Sequence, residues 1–408
     1  MKSSTDRILT THTGALHRPP DLEELYRQKF AGEPVDERAL EARLKTAVAE
    51  IVRRQASIGV DVIDDGEMSK LSFWAYARSR LDGVVAQPLS ATKDAFFRRA
   101  GQTASSAGDR ERFAQFYADT EGPNGVTTPP NVIQMYIPAG TAYEPPANHV
   151  VEGPVKYKAD EVRTDIATFK QALEGVPHVE AFLPVVAPGM LATRYRNDYY
   201  KSEEEYYFAI ADALHEEYRA VTDAGFVLQI DDVSLPGRRR LLPGESGKAA
   251  FDKWAGLAVD ALNHALRGIA PERVRYHMCW SSMNAPHTDD PPLAELVHCL
   301  FKINAQGYQI EAANVRHEHE YHLWETTRLP DGKILMPGVI CHATNVIEHP
   351  DYVAERILRY ANAVGRANVI AATDCGFRSR VHPQIAWAKL ETLVEGARLA
   401  SAKLWPGG

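Results

Sequence analysis

Short runs of β-branched and apolar residues recur along the chain, most with Gly, Asp, Asn or Cys at or near their ends, and most precede a helix-length stretch with apolar residues three and four apart. Eight such runs stand out, at residues 7–14, 60–66, 179–189, 226–232, 274–280, 307–315, 334–341 and 368–376. Strand-length runs alternating with amphipathic helices predict parallel strands joined by crossover helices. Eight of them predict an α/β protein of the (β/α)8 TIM-barrel class, with one barrel domain spanning residues 1–408. More than a hundred residues separate the second run from the third, so a long insertion between strands 2 and 3, at about 84–175, is expected. Its last part, "VVEGPVKYKADEVRTDIATFKQALEG", predicts a β-hairpin followed by a helix.

Composition narrows the partners. The formal charge is -8 and the Arg238-Arg239-Arg240 run is short, so no basic footprint for nucleic acid is present. The N-terminus has no apolar signal core, and no uninterrupted apolar segment reaches the roughly 18 residues of a membrane span. A cytoplasmic protein without a membrane partner is expected. Its four cysteines, Cys279, Cys299, Cys341 and Cys375, lack the dense spacing of a disulfide scaffold, so reduced thiols are expected.

Barrel enzymes carry their chemistry at the C-terminal strand ends, and here those ends are crowded with ligating side chains. The second run ends in Asp64-Asp65-Gly66-Glu67, the fourth in Asp231-Asp232, the fifth in His277-Met278-Cys279, the sixth in Glu311, the seventh in Cys341-His342 and the eighth in Asp374-Cys375. Alternate strand residues share a face, so His277 and Cys279 point the same way. With Glu311 from the next strand and Cys375 from the last, they offer two thiolates, an imidazole and a carboxylate, a donor set suited to tetrahedral zinc and unsuited to magnesium or calcium. The plainer reading makes both cysteines small buried hydrophobes and His277 a hydrogen-bonded core residue. The histidine-rich "VRHEHEYHLWE", with His317, His319 and His322, lacks the H-E-x-x-H pattern and is expected to be a solvated rim.

The blocks "TTHTGALHRP", "VIDDGEMSKLSFWAY", "LQIDDVSLP", "HMCW", "YQIEAANVR", "MPGVICHATNVIEHPDYVAERI" and "VIAATDCGFRSRVHPQIAWAKLETLVEGARLA" resemble, in order and spacing, the catalytic domain of cobalamin-independent methionine synthase and its short single-barrel bacterial relatives. The resemblance implies zinc ligands at His277, Cys279, Glu311 and Cys375, where the metal takes a substrate thiol as its thiolate. It implies that Glu67 and Asp231 hold the substrate ammonium and that His342 donates a proton during methyl transfer. The family's I-G-S turn, which receives the substrate carboxylate, reads Thr13-Gly14-Ala15 here. The serine is lost, and only backbone N–H groups are left for an anion. The full-length synthase's second barrel has no counterpart, so folate is not assured as the donor.

The expected function is a zinc-dependent S-alkyltransferase, in its simplest form methyl transfer to homocysteine or a related small thiol. Methyl-folate, a methylcobalamin protein or another electrophile would serve as alkyl donor. The nearest alternative is thiol addition to an epoxide, as in the epoxyalkane:coenzyme M transferases, where a sulfonate thiol would call on cations such as Arg378 or Arg380. The metal-free chemistry of uroporphyrinogen decarboxylase-like barrels fits the His-x-Cys, Glu and Cys set poorly. A non-catalytic zinc barrel fits the ligand count but not the surrounding acids. The sequence leaves a homo-oligomer open.

Overall fold

The computed structural model describes residues 1–30, 33–70, 73–88, 107–120, 147–280, 285–378 and 380–407. Its centre is an eight-stranded parallel sheet in which each expected run supplies one strand: β1 (Leu9–Thr10), β2 (Val62–Ile63), β5 (Glu180–Val186), β7 (Val227–Asp232), β8 (Val274–Met278), β9 (Gly307–Ile310), β10 (Ile334–Ile340) and β11 (Ile370–Thr373). The order is β1-β11-β10-β9-β8-β7-β5-β2, and a parallel bridge from Thr11 to Val62 brings the two edges together into a TIM-like barrel.

Strand alternation sorts residues between two cores. On β8, Val274, Tyr276 and Met278 join the large apolar core. Arg275 and His277 point to the other side, into the barrel. Low in the barrel, Leu9, Ile334, Met336, Ile370 and Ala372 form a separate apolar cluster. Above it the interior turns polar: Arg275 donates to Thr11 Oγ1 at 2.9 Å and to His12 O and Gln309 Oε1 at 2.6 Å each, and its guanidinium lies 3.9 Å from the Phe182 ring centroid. Burial pulls the Arg275 pKa down to about 9.

The flanking helices start where their sequences provide caps. Asp36 accepts from the backbone of Arg38 and Ala39 at the start of Glu37–Ser57, and Ser202 accepts from Glu205 N ahead of the acidic first turn of Glu203–Asp223. His349, with Pro350 at the first helical position, caps Pro350–Val364. No described helix is long and apolar enough to cross a membrane.

Between β2 and β5 the chain leaves the barrel. β3 (Leu81–Pro88) pairs antiparallel with β4 (Ala147–Tyr157), and β4 pairs with β6 (Tyr195–Asn197) beyond β5. The expected local hairpin at the start of "VVEGPVKY" is therefore one continuous strand. Gly153-Pro154 looks like a turn, but the ladder absorbs it as a register shift opposite Gly83, whose φ is +82° and where any Cβ would lie 2.5 Å from Pro154 O. The expected helix follows as Asp160–Leu173, packed against Glu37–Ser57 and Glu203–Asp223 in the outer ring. Residues 89–106 and 121–146 of the expected insertion lie outside the described residues.

Candidate metal centre at the barrel mouth

Two of the expected ligands come from one strand end and a third from across the barrel. His277, Cys279 and Cys375 bring their ligating atoms within 4.8 Å of one another, with the two sulfurs 3.8 Å apart. Burial disfavours a charged His277 ring, yet hydrogen bonds to Asp231 and Cys375 raise its pKa to about 10. The hydrogen bond from Cys279, against the cost of burial and with further help from His277, holds the Cys375 thiol well below its ordinary range. A pair of sulfurs beside an imidazole, Cys279 buried and Cys375 partly exposed, is poised to lose protons to a thiophilic cation, and this donor set fits zinc.

Glu311 stands one step away from that trio. Its Oε2 accepts from Trp280 N at 2.8 Å and its Oε1 from Asn314 Nδ2 at 2.6 Å. It forms a second group with His342 and Asp374, again with ligating atoms within 4.8 Å of one another. His342 is fully buried, and neither ring nitrogen has a hydrogen-bond partner. Burial also pulls its pKa down.

Asp231 serves the metal side first: its Oδ1 bonds His277 Nδ1 at 2.8 Å and accepts from Gln229 Nε2 at 2.8 Å, while its Oδ2 is buried without a partner. A carboxylate on Nδ1 fixes the ring and leaves Nε2, which lies 3.3 Å from Asp374 O, to turn to a metal. Glu67 sits at a positive φ of 54°, and burial pushes its carboxyl up to about 7. Its Oε1 lies where a Cβ of Gly14 would be, at 2.6 Å, and Asp64 Oδ2, itself buried and unpartnered, would be 3.2 Å from the same point. Glu67, Asp64 and the Gly14 turn thus form one acidic corner.

The Thr13-Gly14 turn is occupied from within. Thr13 N donates to Thr373 Oγ1 at 3.2 Å, Gly14 N donates to His12 Nδ1 at 3.1 Å, and the Thr13 hydroxyl accepts from Gln309 Nε2 at 2.7 Å. Those two N–H groups are engaged rather than turned to a ligand. Arg378 is likewise spent on the fold, donating to the carbonyls of Leu16, Lys70, Gly66 and Glu67 at 2.6–2.9 Å and clamping the loops that follow β1 and β2.

Residues 148–399 match the family model described as the catalytic domain of the cobalamin-independent synthase. The chain belongs to that family. Among curated relatives, it is 27% identical over 239 residues to the 2-hydroxypropyl-CoM lyase of Xanthobacter autotrophicus, covering 52% of this chain and 59% of that protein. It is 25% identical over 227 residues to a methionine synthase of Thermococcus kodakarensis, covering 54% and 58%. These alignments span under three fifths of either relative. A methionine synthase of Sulfolobus acidocaldarius aligns over 97% of this chain and 93% of its own length at 21% identity. The fold matches that of the B12-independent methionine synthase of Shewanella sp. W3-18-1, solved with selenomethionine, at a TM-score of 0.70 and 19% identity over 98% and 99% of the two chains.

Against this synthase-family background, one expectation needs correcting. Of the three rim histidines, only His319 and His322 are exposed. His317 is buried, stacks on Trp280 with ring centroids 4.0 Å apart, and bonds Asp290 at 3.1 Å and Glu320 at 3.2 Å. Its period in the sequence is that of a polar loop; the Trp280 face that covers it comes from another strand.

Proposed function

We propose that this chain is a zinc-dependent S-alkyltransferase that methylates homocysteine or a related small amino-bearing thiol. The observation that carries the reading is the pair of sulfurs 3.8 Å apart beside His277 at the barrel mouth. His277, Cys279 and Cys375 would hold the metal, with Glu311 as the fourth donor. When bound, zinc ionises the substrate thiol and so supplies the nucleophile at neutral pH. The residues around it do the rest. Asp231 keeps the His277 ring in the tautomer that presents Nε2. Glu67 and Asp64, with the free Oδ2 of Asp231, give an ammonium group three carboxylates to bind and turn the thiol toward the ligands. His342, out of contact with water, passes a proton to the departing group, a role suited to an imidazole. Methyl-folate or a methylcobalamin protein would donate the methyl group.

A second reading is favoured by the relative named 2-hydroxypropyl-CoM lyase: addition of a sulfonate thiol to an epoxide. The acidic corner and the engagement of Arg378 favour the amino-bearing thiol over it.

The test is product analysis with zinc-loaded protein, offering homocysteine with methyltetrahydrofolate or methylcobalamin, and coenzyme M with epoxypropane. Methionine as the product is expected. His342→Asn should keep full zinc content and lower turnover by about 10²–10⁴-fold. Alkylation of coenzyme M alone would move the chain to the second reading. No thiol alkylation in a fully zinc-loaded protein would make the zinc structural.

A further inference from the structure

Asp374 precedes Cys375 and is fully buried. Its Oδ1 accepts from the backbone N–H groups of Ala312 and Ala313, each at 2.7 Å, the two residues that follow Glu311. Its own N–H donates to Ile340 O at 3.0 Å, two residues before His342. One residue therefore touches the ends of β9, β10 and β11, which deliver Glu311, His342 and Cys375.

The neighbouring strand is shaped around this side chain. At Gly338 any Cβ would overlap Asp374 Oδ1 and lie 2.8 Å from its Cα. The register of β10 against β11 shifts there, pairing Gly338 with Ala372 and Ile340 with Thr373, and such irregularities beside sites re-aim side chains. The second carboxylate oxygen, Oδ2, has no hydrogen-bond partner, and neither does either nitrogen of His342. Both residues belong to the group whose ligating atoms lie within 4.8 Å of one another. That range exceeds a hydrogen bond, so a side-chain adjustment must close it, and two buried groups with unmet hydrogen-bonding capacity have reason to make it.

We propose that Asp374 is a positioning residue for the transfer reaction: its Oδ1 ties the Glu311 turn to the strand end bearing Cys375, and its Oδ2 orients the His342 imidazole. The inference deepens the alkyltransferase reading and rests on it for the word transfer, while the positioning itself is a property of the chain. A carboxylate beside an imidazole takes one ring N–H and so decides which nitrogen faces the reacting group; that nitrogen carries the proton His342 gives up once the ring is an imidazolium, the form the carboxylate stabilises. A second cation held by Glu311, His342 and Asp374 is the competing account. Against it, Asp374 Oδ1 already accepts two backbone hydrogen bonds, and Glu311 is the donor assigned to the His277, Cys279 and Cys375 site.

The test compares Asp374→Asn and Asp374→Ala with the wild-type chain, using ¹⁵N-histidine NMR of the metal-free protein and zinc affinity by chelator competition. The His342 signals are assigned by their loss in His342→Asn. Wild type should hold a single neutral tautomer. In Asp374→Asn the carbonyl oxygen can keep the two backbone donors while an NH₂ faces the ring, so the opposite tautomer is expected, zinc affinity falls less than about tenfold, and kcat drops with KM for the thiol nearly constant. In Asp374→Ala the tautomers should mix and zinc affinity fall by about 10–100-fold. If the alanine variant fails to fold, the tautomer reversal in Asp374→Asn still decides. Identical His342 signals in wild type and Asp374→Asn would overturn the proposal, as would two zinc equivalents in wild type and one in Asp374→Asn. A wild-type chain that binds no zinc would sink the alkyltransferase reading and leave the tautomer result to judge Asp374 by itself.

Discussion

Replacing Gly14 with alanine tests whether the acidic corner is built by close backbone approach. The new Cβ would stand 2.6 Å from Glu67 Oε1 and 3.2 Å from both Asp64 Oδ2 and Pro184 Cγ, at a residue whose φ is +131°. The backbone conformation costs a non-glycine residue about 1–3 kcal/mol. Forcing the carboxylate aside adds roughly 1–3 kcal/mol, as overpacking of a tight interior does. A loss of roughly 2–6 kcal/mol on urea unfolding, followed by tryptophan fluorescence, is expected. Glu67 must also leave its place, so KM for an amino-bearing thiol should rise more than kcat falls. The two contributions separate in a double-mutant cycle. Glu67→Ala removes the collision but not the backbone cost, so Gly14→Ala should be milder by about 1–3 kcal/mol in that background. A loss below about 0.5 kcal/mol, or strict additivity with Glu67→Ala, would refute the close approach.

Three further outcomes follow from the same geometry. Asp231→Asn should lower zinc affinity by about 10–100-fold in a chelator competition, because the carboxylate on His277 Nδ1 is lost while the ligands remain. Arg378→Ala removes the donors to four loop carbonyls and should cost about 2–4 kcal/mol in chemical denaturation, with zinc content retained; a cost near zero would mean the clamp does not hold the mouth. Despite burial, Asp290 and Glu320 raise the His317 pKa from 6.5 to about 9. Below about pH 6.5 the ring is protonated whether the chain is folded or not, and its stabilisation is fully present. Between that pH and about 9 only the unfolded chain releases the proton, so stability should fall by up to about 3 kcal/mol and then level off. His317→Gln should flatten that part of the profile, and an unchanged slope would contradict the assignment.

The barrel strands were legible because each is a short apolar run closed by a polar strand end, and parallel strands buried on both faces leave that mark. The His277, Cys279 and Cys375 trio was legible for the same reason, since period-two alternation and strand order fix which ends meet. What could not be read depends on contacts between distant segments. Gly153-Pro154 carries a turn signature, and only its pairing with Gly83 turns it into a bulge. His317 sits in a polar run, and its burial comes from Trp280. Arg378 looked available to an anion until four carbonyls from two other loops claimed it. Glu311 and Asp374 illustrate the finer limit. Sequence places both at strand ends, but their grouping with His342, apart from the two sulfurs, goes with hydrogen bonds to Trp280, Asn314, Ala312 and Ala313 that the sequence does not show.

The central claim is that the two sulfurs and His277 hold a zinc ion that takes up a substrate thiol. Zinc-edge X-ray absorption on the zinc-loaded protein, alone and with homocysteine, addresses it directly. The account predicts two sulfur ligands with nitrogen and oxygen donors in the free protein, and three sulfurs with one lighter donor lost once homocysteine is added. A zinc shell that ignores homocysteine but gains a sulfur from coenzyme M would transfer the site to the sulfonate-thiol reading. No zinc, or a shell unchanged by either thiol, would contradict the account.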